Sequence, residues 1–175
     1  MDYVMSKMHN MILAAGACAL ALGIPSTAGA VTITPPGAGG APIPFSAVGP
    51  AVVGKSGVDV DCTAVFSGTV DGAGNILITS AAFKGIPVCR MIKASATPAT
   101  PWVGKVTSLN RLTIDQVMVN VNTPILGGQC GPSLVGGQIA DSGSETTISL
   151  SAAPLAGGCA ISATLTTTPY MHVTP

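Results

Sequence analysis

The chain is most constrained by a pattern that occurs twice. Residues 62–89 read CTAVFSGTVDGAGNILITSAAFKGIPVC, and residues 130–159 read CGPSLVGGQIADSGSETTISLSAAPLAGGC. Each copy is a cysteine, a run of small or apolar residues, a turn rich in Gly, Asp and Ser, a second run reaching Ala-Ala, and a closing cysteine. The pattern reads as a hairpin stapled to itself and used twice. Four cysteines in an exported chain allow three disulfide connectivities. The duplication favours Cys62 with Cys89 and Cys130 with Cys159, because each copy then carries its own staple. Each would close a loop of about 28 to 30 residues, for which the chain-entropy model gives on the order of 3 to 4 kcal/mol. A zinc site built from all four cysteines is the competing arrangement, but it lacks a Cys-x-x-Cys pair.

Export is itself read from the sequence. Lys7 precedes an apolar run over residues 11–24, followed by Pro25 and the small-residue end Ala28-Gly29-Ala30. This is the form of a secretory signal peptide over residues 1–30, and the run falls short of the roughly 20 apolar residues that span a bilayer. A lipoprotein signal at Cys18 is the competing reading; it lacks the bulky aliphatic three residues upstream, and residues 19–22 stay apolar. Removal of the signal would leave no transmembrane segment, and the chain is expected to be extracellular or bound to the cell surface, having been exported through the periplasm. What remains divides into a Gly/Pro/Ala-rich segment, residues 31–57, and a β domain, residues 58–175. Residues 31–34 can form a strand, either as part of a flexible leader or on a tether able to add to a neighbour's sheet.

From residue 58 onward no apolar run keeps helical spacing, and alternation dominates. Val58, Val60 and Cys62 are expected inward with Asp59, Asp61 and Thr63 outward, and the phase shifts near Ala64, suggesting a bulge. Residues 71–75, DGAGN, form the turn to a return strand over 76–83. Residues 111–121 read as the longest strand, bulged at Asp115-Gln116, and residues 159–168 alternate most regularly. Residues 170–174 can add a last short strand. Eight to ten short strands with turns about every ten residues predict one antiparallel β-sandwich or open barrel.

Chemistry is sought and mostly absent. Beyond the signal, six basic residues (Lys55, Lys84, Arg90, Lys93, Lys105, Arg111) balance six acidic ones (Asp59, Asp61, Asp71, Asp115, Asp141, Glu145), so nothing steers a polyanion and nucleic acid is not an expected partner. Charged residues are only 8% of the chain, against about 25% in ordinary domains. A surface of Thr, Ser, Gly and Ala resists association weakly. The one histidine past the signal, His172, reads as exposed in a frayed end, and no Gly-x-Ser-x-Gly is present, so nucleophilic catalysis has no constellation. Asp59 and Asp61 could hold a cation but are better read as a solvated face. The 71–75 loop lacks the spaced carboxylates of a calcium loop. No cofactor or metal site is expected. Trp102, beside Pro101, either plugs the core or offers apolar contact to a ligand. An outer-membrane barrel needs aromatic girdles, which Phe45, Phe66, Phe83, Trp102 and Tyr170 are too few to supply.

Cys-Thr-x-x-Phe-Ser-Gly-Thr-Val at 62–70, Pro101-Trp102, Cys130-Gly131-Pro132, Leu155-Ala156-Gly157-Gly158-Cys159-x-Ile161 and the Thr/Pro-rich end carry a resemblance. The chain resembles the bacterial family called protein activator of alkane oxidation, and departs from it in a longer stretch over 35–57. The resemblance implies a small secreted protein, not an enzyme, that promotes contact with or uptake of hydrophobic substrate such as long-chain alkanes. Expected partners are hydrophobic substrate, the cell surface and copies of the chain itself. The alternative is a structural subunit of an extracellular fibre or biofilm matrix assembling by strand addition.

Overall fold

The computed structural model describes residues 31–34, 37–123 and 127–175; the expected signal peptide, with Cys18, lies outside the described residues. The strands are β1 (Thr32–Thr34), β2 (Ile43–Lys55), β3 (Val58–Val70), β4 (Asn75–Lys84), β5 (Ile92–Ala94), β6 (Trp102–Ser108), β7 (Arg111–Asn122), β8 (Gly127–Asp141), β9 (Thr146–Leu155), β10 (Cys159–Thr168) and β11 (His172–Thr174). Among the described residues the only helical turns are two short 3-10 turns, Ala38–Gly40 and Pro87–Met91.

The sheet closes. Each strand from β2 to β4 and from β6 to β10 pairs antiparallel with its neighbour in sequence, and β10 pairs back onto β2, from Cys159↔Lys55 to Thr168↔Ser46. The result is an eight-stranded up-and-down barrel, with β5 bridging β4 and β7 at the end of the wall that β6 leaves open. Closure corrects the expected sandwich or open barrel, and the strands are long rather than short, β8 reaching 15 residues. The closing strand is β2, which lies in the segment, residues 31–57, that the sequence sets apart as irregular. Pro44, Gly49, Pro50 and Gly54 disguise it. At Gly49 the reason for glycine is visible: a Cβ there would stand 2.0 Å from the Thr164 carbonyl oxygen of β10.

Inward positions fill the interior. On β3, Cys62, Ala64, Phe66 and Val70 are all buried, so the phase shift expected at Ala64 does not occur. The irregularity is on the partner: Ser67 pairs with Ser80 and Gly68 with Ile78, which leaves Thr79 as an extra residue on β4. The bulge expected at Asp115-Gln116 is present, with Gln116 at φ 61° and a register shift between Ile114 and Val117. Phe66 meets Phe83 and Trp102 edge-on at centroid distances of 6.4 and 5.6 Å, a favourable aromatic geometry. Phe45, Phe66, Phe83 and Trp102 are buried, so the interior is packed with apolar side chains, unlike the polar lumen of a membrane barrel.

Two ends can be distinguished. One is covered by a small sheet in which β1 pairs with β11, Thr32↔Thr174 to Thr34↔His172, burying Ile33, Met171 and Val173. The strand predicted at residues 31–34 is therefore paired within its own chain. The other end carries both staples, Cys62–Cys89 and Cys130–Cys159. In the ring order the hairpins β3/β4 and β8/β9 stand opposite each other, two strand positions apart on either side.

Candidate functional site

The stapled end opens as an apolar mouth. The β2–β3 connection is a two-residue turn, Ser56-Gly57, with φ of 51° and 81°, the left-handed pair that suits a tight hairpin. It brings Lys55 opposite Val58 and Val53 opposite Val60, and alternation turns all four toward the interior. Across from them the 3-10 turn Pro87–Met91 follows Ile86. Cys89, fully buried, ties this turn to β3 with Cα atoms 5.7 Å apart, which fixes Ile86 and Val88 at the rim. Ile92, Val121, Thr123 and the two carboxylates Asp59 and Asp61 complete the lining of a cavity of about 430 Å³, inside the usual range for small-molecule sites. At its lip Val58 is 47% and Ile86 56% exposed.

The polar groups at this end are few and sorted. Asp59 and Asp61 alternate with the inward residues of β3, and a Cβ at Gly54 would stand 2.5 Å from Asp59 Oδ1, yet both border the cavity. Lys55 points the other way. Its Nζ lies 3.8 Å from Cys130 Sγ, so the side chain reaches across the mouth toward β8. Among the described residues the sole ion pair joins His172 and Asp141, so Lys55 shares the cavity with Asp59 and Asp61 without forming a salt bridge to either.

Charge is also divided along the barrel axis. Lys55, Lys84, Arg90 and Lys93 lie in the half that holds the mouth, against Asp59 and Asp61. Lys105 and Arg111 lie in the other half, against Asp71, Asp115, Asp141 and Glu145. A chain of zero formal charge thus has a basic end and an acidic end, which its total conceals.

Other residues singled out from sequence sit elsewhere. Trp102 is 1% exposed in the middle of the barrel, with its indole Nε1 donating to Ser95 Oγ at 3.2 Å; it lines no part of the mouth. All four cysteines are spent in disulfides, so none is a thiolate for zinc. Among the described residues no three His, Cys, Asp or Glu side chains converge as a metal site. In the 71–75 turn Asp71 accepts from the backbone N–H groups of Ala73 and Asn75, the Asx chemistry of a turn. These bonds and that from the Asn75 side chain, outweighing the opposing effect of partial burial, hold its carboxyl below the usual range.

At the acidic end His172 is not in a frayed tail. Its side chain is 52% exposed, yet its Nδ1 meets Asp141, which also accepts from the Tyr170 hydroxyl and from the backbone N–H groups of Gly143 and Val173. The Tyr170 hydroxyl and the Gly143 N–H do most to hold the Asp141 carboxyl far below the usual range, and the same bond raises the Tyr170 phenol. The cluster latches β11 to the β8–β9 turn. Sequence reading missed Asp141 and Tyr170 because partners some 30 residues apart show no local spacing. It missed Lys55, Ile86 and Val88 because the mouth exists only once the sheet closes.

A family model described as alkane oxidation protein activator PraA/PraB-like matches residues 5–175. No curated protein and no solved structure matches the chain. Among the described residues no helix is long and apolar enough to cross a membrane.

Proposed function

This chain belongs to the PraA/PraB-like family of alkane oxidation protein activators, and from that membership we propose that it is a non-enzymatic, exported accessory that brings cells into contact with water-insoluble hydrocarbon. The observation that carries the reading is the open apolar cavity of about 430 Å³ whose rim exposes Val58 and Ile86. Burying such aliphatic area gains about 25 cal/mol per Å², and the rigid, twice-stapled frame around it loses little entropy when it does so. The weakly charged wall opposes neither an oil surface nor the cell's. Oxidation is left to other proteins; this one improves access to the substrate.

The test is partitioning. The exported protein, as its host processes it, is shaken with hexadecane and the aqueous phase is assayed. It should deplete at the interface, and Ile86→Asp, which places a charge on an exposed rim position, should restore it to the water. Wild-type protein that stays wholly aqueous at a clean hexadecane interface would refute the reading.

A further inference from the structure

Several glycines inside the strands are fixed by packing: a Cβ at Gly49, Gly68, Gly104, Gly131 or Gly137 would stand 3.0 Å or less from a neighbouring atom. Gly136, within β8, is different. Its φ lies outside the left-handed region, it pairs with Thr113 in unbroken register, and a Cβ there meets nothing within 4 Å. Neither backbone, bulge nor core calls for glycine at this position. Glycine inside a strand weakens it, and its remaining use is to let a ligand come close to the backbone. The space left open is a hollow of about 710 Å³ on the outer wall, bordered by Arg111, Thr113, Gln138, Ser149 and Ser151. Arg111, Gln138 and Ser149 form one row across β7, β8 and β9, and Thr113 and Gly136 belong to the next. Among the described residues, none of these five polar side chains has a hydrogen bond or an ion pair within the chain.

We propose that this hollow binds a neutral polysaccharide. Its rim offers hydroxyl, amide and guanidinium groups, a mixture of donors and acceptors that matches the hydroxyls of a sugar ring, and Gly136 lets that ring approach the backbone of β8. No carboxylate borders the hollow, and its one aliphatic residue, Leu112, is 1% exposed, so it has no pocket for an alkyl chain. A polyanion is opposed by the surrounding half of the barrel, where two basic residues stand against Asp71, Asp115, Asp141 and Glu145. The hollow shares no residue with the mouth, so glycan and hydrocarbon can be held together. Glycan binding stands on the wall alone; its role, fixing the protein to the cell's surface polysaccharide while the mouth meets hydrocarbon, rests on the proposed function.

Native gels cast with dextran, mannan or hydroxyethylcellulose test the site on the exported protein. At least one of the three should retard it. Gly136→Val fills the hollow and should abolish the retardation with the urea midpoint unchanged. Arg111→Met leaves the backbone alone and removes the guanidinium; it should weaken binding about threefold to tenfold, the worth of a hydrogen bond. Neither variant should alter hexadecane partitioning. Retardation by none of the three polymers, or by polygalacturonate alone, overturns the assignment, as does undiminished binding in either variant. Concentration-dependent self-association that Gly136→Val removes would also overturn it, making the hollow a contact between copies of the chain. Failure to bind glycan with intact hexadecane partitioning sinks this inference alone; failure to partition with intact glycan binding sinks the proposed function alone.

Discussion

The two staples close loops of nearly equal length, with sequence separations of 27 and 29 residues, so the chain-entropy model assigns each about 3.5 kcal/mol. Replacing Cys62 and Cys89 together by Ala, or Cys130 and Cys159 together by Ala, should therefore cost the same stability to within about 1 kcal/mol and lower the melting temperature by about 10 °C. Their effects on the mouth should differ. Cys89 sits in the 3-10 turn that follows Ile86 and contains Val88, whereas Cys159 begins a strand paired on both edges, to Lys55 and to Leu155. Without the first staple the turn loses its only covalent tie and opens; without the second, β10 remains held by two ladders. Urea unfolding of both double variants measures the stability loss. Limited proteolysis near residues 85–91, together with hexadecane partitioning, measures the mouth. Equal losses of stability with cleavage and lost partitioning only in the Cys62/Cys89 variant are expected. Equal damage to the mouth in both variants would refute the argument, since the turn would then owe its position to the barrel as a whole.

Three further outcomes follow from single positions. Gly49→Ala forces a Cβ to 2.0 Å from the Thr164 carbonyl oxygen, whereas a Cβ at Gly136 meets nothing within 4 Å; urea unfolding should show a loss of about 2 kcal/mol or more for Gly49→Ala and a change within about 0.5 kcal/mol for Gly136→Ala. The Asp141 carboxyl is depressed by its hydrogen bonds, so the stability it lends β11 is full above the ordinary carboxylate range and is lost as pH falls toward its folded value. The raised Tyr170 phenol adds stability that is present below the ordinary phenol range and is lost above it; amide exchange across residues 172–174 should quicken at both extremes, and Asp141→Asn should abolish the acid limb. Trp102, the chain's one tryptophan, is buried against Phe66 and is not in the lining of the mouth, so its emission should not shift on adding hexadecane; a ligand-dependent shift would place it in the site after all.

The parts of the fold that were legible in sequence are those set by local alternation and by turn chemistry. The 71–75 turn, the bulge at Gln116 and the regular strand from Cys159 are each fixed by residues within a few positions of one another. Closure was hidden because it depends on β2, where two prolines and two glycines mimic a linker. Pro44 and Pro50 remove donors from the ladder, and Gly49 answers a close approach to β10 that only the partner strand explains. The candidate site was half legible. Val58 and Val60 read as inward, but Lys55 and Ile86 gain meaning only when a turn from beyond β4 is brought over the same opening. The docking of β1 against β11 was invisible for a similar reason, since its partner is about 140 residues away.

The duplicated hairpin explains why the barrel has one mouth rather than two. In both copies the return strand climbs to the stapled end and must reach its closing cysteine, but the three residues before that cysteine differ in size: Ile86-Pro87-Val88 in the first copy, Ala156-Gly157-Gly158 in the second. The second copy turns tightly, with Gly157 and Gly158 at φ of 90° and 74°. Gly157 also packs so close that a Cβ would stand 2.5 Å from the Gln129 carbonyl oxygen, while the Gly131 N–H bonds the Ala156 carbonyl at 2.8 Å. That side is sealed by backbone against backbone. The first copy does not seal in this way: branched side chains and a proline precede its cysteine, and Ile86 and Val88 line the cavity. A pair of hairpins that share their staples and their places in the ring therefore differ in one respect that bears on function. Glycine closes one side, and isoleucine and valine leave the other open, lined and apolar.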